Sequence, residues 1–309
     1  MVRRWELGDY RRRHRLSSTP WCAIVALGVF RDMFGIASPD DGETIEGCPV
    51  VRVSDAASGM RNILWVVYTG RTFTETESSV QFADAAVLLR LAHKYDFDKV
   101  RDDALARIKT LYTDNFQNFV DQSPGSHPLL SHKWQDAFEA VQLARLTNTK
   151  SILPVALYFC CKTQFFNDAT AISRLCAGTD TSQADVHMAD DDILRCLVAR
   201  PRLIQARIQV LCSTFAKNPG PRCDRDDCRE YHDLTIDTIV ICQSSPSYRS
   251  LDVDCLTSCL DDEEIQSVTD YFHFCDICQK FFKERDLAAR QSVWKQLPGY
   301  FGLDIAGWE

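Results

Sequence analysis

The apolar positions along the chain predict helices over most of its length. Met60, Ile63, Leu64, Val67 and Tyr68 fall at i, i+3, i+4, i+7 and i+8, one stripe of an amphipathic helix that Gly70 closes. Ahead of it, Pro49-Val50-Val51-Arg52-Val53-Ser54 is a β-branched run short enough for one strand. Val87, Leu88, Leu91 and Tyr95 mark a second helix, and Val100, Ala104, Leu105, Ile108 and Leu111 a third, with Asp98 as N-cap between them. Leu64, Val67, Leu88, Leu91 and Leu105 are expected to be buried together where these helices meet. A polar break at residues 121–131 holds Pro124, Gly125 and Pro128, after which Trp134, Ala137, Phe138 and Val141 form another helical stripe. Residues 151–162 read as a helix with Pro154 in its first turn. Residues 178–189 look like a linker. Asp190, Asp191 and Asp192 then precede Ile193, Leu194, Leu197 and Val198, and acids in a first turn favour helix initiation, so a solvated helix start is expected. A separate helix over residues 202–215 and another over 284–297, carrying Leu287, Val293 and Trp294, complete a mostly α chain.

Composition narrows the class. A chain of 309 residues exceeds one typical domain, so one large or two smaller domains are expected. With 43 acidic against 35 basic residues the net charge is −8, which argues against a nucleic-acid surface over the whole protein. No apolar run reaches the ~18 residues of a membrane span, and nothing resembles a signal peptide, so an intracellular protein, cytoplasmic or nuclear, is expected. Catalytic signatures are not found: there is no GxSxG, GxxxxGK[ST], GxGxxG or HExxH.

Fourteen cysteines are many for such a chain, and without a secretory signal a disulfide framework is not expected. Metal or plain burial must account for them. Cys160 and Cys161, on a core helix, and Cys255 and Cys259, at i and i+4, read as buried thiols. Cys223 and Cys228 are separated by four residues in a Pro/Gly-rich loop, and Cys275-Asp-Ile-Cys278 forms a CxxC. Two such pairs from distant loops can close tetrahedrally on one zinc, because each short pair limits the entropy lost on coordination. The first pair is one residue wider than usual, which leaves His232 or His273 as substitute ligands and a set of unrelated thiols as the alternative. If they share an ion, their sulfurs should lie about 3.5 to 4 Å apart.

Several phrases resemble the BTB/POZ domain in its basidiomycete fungal form. They are FRDMF (Phe30 to Phe34), the strand phrase from Glu43 to Val51, the helix from Ile63 to Gly70, and LLRLAHKYDFDKVRDDAL from Leu88 to Leu105. A sparser likeness continues in LPVALYFCC and in the closing W…LP…FGL…WE pattern, whose Trp294, Tyr300, Phe301 and Trp308 are expected to dock the last segment. The resemblance implies a truncated BTB/POZ-like α+β domain at 21–120, then a C-terminal helical bundle at 121–309 with a Cys-rich segment at 217–282. It breaks at the start of the chain. Where a BTB domain has a β-hairpin, residues 1–20 are an arginine-rich stretch without apolar alternation, read as a disordered arm or as a start misread from the gene. Losing that hairpin exposes the edge of the strand near Pro49 and removes the exchanged element of BTB dimers. Association would then rest on the apolar face of Trp21, Ile24, Val25 and Leu27 and be weak.

These readings favour a non-enzymatic protein–protein interaction adaptor. By resemblance, its partners include itself, weakly, and cullin-type ubiquitin ligases. The alternative is a nuclear, transcription-associated regulator using the basic arm or the Cys-rich region, with a Cys/His hydrolase a distant third.

Overall fold

The computed structural model describes residues 29, 44–45, 48–49, 53–69, 79–122, 127–167, 170, 172–173, 188–216, 223, 225, 227–228, 230–231 and 253–308. Trp21, Ile24, Val25, Leu27, Gly70, His232 and the 1–20 arm therefore lie outside the described residues. The fold is mostly helical. Among the described residues, strand is confined to two-residue segments, of which β1 (Thr44–Ile45) and β2 (Cys48–Pro49) pair antiparallel, Thr44 opposite Pro49 and Ile45 opposite Cys48. Of the run expected as one strand, Pro49 is paired in this way, while Val53 and Ser54 are irregular. Contacts divide the chain into two units, Met1–Arg107 and Ile108–Glu309.

In the first unit, α1 (Ala57–Thr69) packs on α2 (Phe82–Lys94), and α3 (Asp98–Leu111), whose last turn falls past the Arg107 boundary, follows across a tight turn. Gly59 is the close-approach point of α1 and α2: a Cβ there would meet Val87 Cγ1 at 2.9 Å and Leu91 Cδ1 at 3.0 Å. Asp55, just ahead of α1, accepts a hydrogen bond from Tyr95 Oη and one of 2.7 Å from Lys94 Nζ, tying the start of one helix to the end of the other. Burial works to raise the Asp55 carboxyl, but these two partners outweigh it and hold it below the usual carboxylate range. α2 buries a broad face, with Phe82, Ala85, Ala86, Leu89 and Ala92 joining Leu88 and Leu91 in the core, while Ala83, Asp84, Val87, His93 and Lys94 stay exposed. The expected cluster is accordingly corrected: Leu88 and Leu91 are buried, whereas Leu64, Val67 and Leu105 are half-buried and Val87 is exposed. The stripe reading allowed α2 a narrow apolar face, and Ala85, Ala86 and Ala92 widen it.

In the second unit, the short α4 (Phe116–Val120) precedes α5 (Asp136–Leu146) and α6 (Leu153–Lys162). Every residue of α6 from Leu153 to Cys161 is buried, as a helix apolar on all sides requires. α7 (Asp190–Thr214) and α9 (Asp276–Tyr300) are 25 residues each, about 37 Å long at 1.5 Å per residue, and pack along one another and on α6. Between them comes α8 (Glu263–Tyr271). α7 continues through Pro201, where the sequence implied two helices. Pro201 removes the bond to the Leu197 carbonyl, but Leu197 and Val198 are 38% and 48% exposed, so water can replace it. In its first turn Asp190 and Asp191 are exposed, as expected, but one acid is not. Asp192 is buried, and accepts hydrogen bonds from Arg145 at 2.5 and 3.2 Å.

Four helix ends share one device. Asp96, Asn148, His273 and Gly302 all have φ between 48° and 62°, the left-handed conformation that closes a helix. After α9, Leu303 N–H reaches back to the Pro298 carbonyl and Gly302 N–H to that of Gly299, and the tail then folds over the helix. Trp308 stacks on Trp294 at 4.7 Å and donates from Nε1 to the Trp294 carbonyl at 2.7 Å. Phe301 and Trp294 are both buried, and Tyr300 is half-buried.

Residues 253–262 are pinned from three helices. Arg207 donates to the Thr257 carbonyl, Arg290 to that of Leu256, Lys162 pairs with Asp254 at 2.6 Å, and Asp286 accepts from Cys259 N–H at 3.1 Å. Asp286 and Arg290, both buried, pair at 2.7 Å along α9.

Candidate metal centre

The segment after α8 dictates half of the centre. His273 follows that helix in the left-handed conformation, donating its N–H to the Asp270 carbonyl, and the chain then turns through Phe274 into Cys275. Cys275 is the N-cap of α9, with extended backbone, and Cys278 lies in the first turn. CxxC at a helix start puts both sulfurs on one side, with backbone N–H groups pointing at them. The other half comes from the segment that carries Cys223 and Cys228. There Asp227 and Cys228 are helical, as are Glu230 and Tyr231 just beyond them, and Cys228 is fully buried.

The sulfurs of Cys223, Cys228, Cys275 and Cys278 converge, all within 4.8 Å of one another. Cys223 and Cys275 stand 3.7 Å apart, close to the about 3.8 Å edge of a tetrahedron with metal–sulfur bonds near 2.3 Å. Cys223, Cys228 and Cys278 are buried, and only Cys275 of the four is partly open to solvent. Burial pushes the Cys228 thiol up, and the thiols of Cys275 and Cys223 beside it add to that. Burial also acts to raise Cys275, but the Cys278 N–H and the thiols of Cys223, Cys278 and Cys228 outweigh it and draw Cys275 down to about 7. Four thiols so placed could hold one thiophilic ion with no coordination position left over.

Aromatic residues close to the cysteines in sequence form a shell of their own. Tyr231 packs on Phe272 at 5.3 Å, Phe274 on Phe282 at 4.9 Å, and Phe282 on Phe215 at 5.0 Å, which links the end of α7 to α9 and the cysteine segment to the end of α8. Arg285 adds a hydrogen bond of 2.9 Å to the Ala216 carbonyl. Sequence reasoning missed this shell, although Phe272 and Phe274 flank His273 just before the CxxC. His273 itself is not in the cluster: it is exposed, and its left-handed backbone serves the end of α8.

The remaining described cysteines are elsewhere. Cys160, Cys161, Cys196, Cys255 and Cys259 are buried, and burial raises the thiols of Cys160, Cys255 and Cys259, Cys255 to about 12. Contact with Cys161, followed by burial, raises Cys196. Thiols raised in this way keep their protons and pack as small apolar groups. No helix among the described residues is long and apolar enough to cross a membrane. No family model, curated protein or solved structure matches the chain.

Proposed function

We propose that this chain is a non-enzymatic protein-interaction module whose second unit is held together by a structural zinc centre at Cys223, Cys228, Cys275 and Cys278. The closed four-sulfur arrangement carries the reading. A catalytic zinc keeps a position for water or substrate, whereas four thiolates fill a tetrahedron and leave the ion a purely architectural part. The buried thiols of Cys160, Cys196, Cys255 and Cys259, which keep their protons, give a cysteine nucleophile no support.

For the first unit we retain the BTB/POZ-like reading, with the C-terminal helices as an accompanying bundle. Its support is the sequence phrases together with the order of a short antiparallel pair, a helix and a helical pair. On α7, Leu194, Val198 and Ile208 are 59%, 48% and 42% exposed, apolar area of the kind a protein partner covers.

The test is affinity capture from the native cell with the metal-loaded full chain, compared with Leu194→Asp/Val198→Asp. Protein partners retained by the wild type and lost by the variant are the expected result. A chain that instead retards non-specific DNA, with binding that falls steeply as salt rises, would overturn the adaptor reading in favour of a nucleic-acid-binding regulator.

A further inference from the structure

The four cysteines are not equivalent towards solvent. Cys275 alone is partly exposed, at the N-cap of α9, while Cys223, Cys228 and Cys278 are buried. Its sulfur is 3.7 Å from that of Cys223, which belongs to the other pair. A metal-bound sulfur is held as thiolate, and susceptibility to oxidation follows thiolate character and access. Building on the zinc reading above, we propose that Cys275 is an oxidation site for hydrogen peroxide and that Cys223 resolves it into a disulfide, releasing the ion.

The chemistry balances in two steps. In the first, Cys275 Sγ attacks one peroxide oxygen: an S–O bond forms, the O–O bond breaks, and the departing oxygen leaves as water after taking a proton. Sulfur is oxidised to the sulfenic acid and the peroxide is reduced. In the second, the Cys223 thiolate attacks Cys275 Sγ: the S–S bond forms, the S–O bond breaks, and hydroxide leaves to be protonated. The sum is two thiolates, one peroxide and two protons giving one disulfide and two waters. Two of the four ligands are then withdrawn, and Cys228 and Cys278 alone cannot close a tetrahedral site.

The experiment treats the zinc-loaded full chain with hydrogen peroxide, follows released zinc with a chromogenic chelator, and maps the cysteines by differential alkylation and mass spectrometry. Expected is loss of the bound ion in step with a Cys223–Cys275 disulfide, before the exposed Cys212, outside the cluster, is modified. Cys275→His keeps four ligands without an oxidisable sulfur at that position and should bind zinc yet resist release. Zinc that stays bound while Cys212 is oxidised, or release with a different pairing, would overturn the inference and leave the zinc centre standing. A chain that takes up no zinc before peroxide is added would remove the parent reading instead. Should Cys275→His fail to load, the wild-type disulfide map still decides.

Discussion

Two thiols of the centre titrate in opposite directions, and this sets how metal binding depends on pH. At about pH 8 Cys228, raised by burial, keeps its proton, while Cys275, drawn down to about 7, has largely lost its own. Binding a divalent ion there displaces the Cys228 proton; below pH 7 it must displace that of Cys275 as well. Proton release per bound ion should therefore increase as pH falls through about 7, measured by calorimetry in buffers of different ionisation enthalpy. A proton count that does not change across that range would contradict the assignment. At Asp192 the carboxylate is buried against the partly exposed Arg145. Asp192→Ala should cost about 1 to 3 kcal/mol in chemical denaturation, since the group's hydrogen bonds are lost. This burial was not legible in a run of three aspartates at a helix start, because local pattern says nothing about which of them meets a basic residue 47 positions earlier.

Helices were the most legible elements, because a 3.6-residue apolar period survives in sequence whatever packs against it. α2 is the test of that phase. Leu91→Ala should cost about 2 to 5 kcal/mol, as for other buried leucines, and a loss under about half a kcal/mol would place Leu91 in solvent. Pro201 misled the reading of α7, since proline normally ends a helix and nothing local shows that the orphaned carbonyl can reach water. Pro201→Ala restores that hydrogen bond on an exposed face and should stabilise the chain by about 1 to 3 kcal/mol. At His273 the left-handed backbone is strained for a residue with a Cβ, so His273→Gly should stabilise the unit by about 1 kcal/mol and leave metal content unchanged. Loss of metal in that variant would show histidine to be a ligand after all.

At the scale of the whole molecule, the centre joins two segments whose Cys223 and Cys275 are 52 residues apart, so an ion bound there would constrain α9 and the residues after α7 together. Spacing made the CxxC visible and the wider Cys223–Cys228 pair less so; from it the convergence of the four sulfurs was expected, and they do converge, but the aromatic packing around them was not legible because it depends on how α7, α8 and α9 pack. Self-association belongs to this scale as well. The weak association expected from the sequence rests on Trp21, Ile24, Val25 and Leu27, which lie outside the described residues; four side chains would bury less than the roughly 1,200 to 2,000 Å² of stable interfaces. Sedimentation equilibrium at micromolar concentration should then show mainly the 35.2 kDa chain, and a single species of twice that mass would contradict weak association. The most direct measurement is the metal content of the purified full chain by inductively coupled plasma mass spectrometry, alongside Cys228→Ser. The account predicts one zinc per chain in the wild type and its loss in the variant, with reduced thermal stability of the second unit. A folded wild-type chain that holds no zinc and takes none up would contradict it.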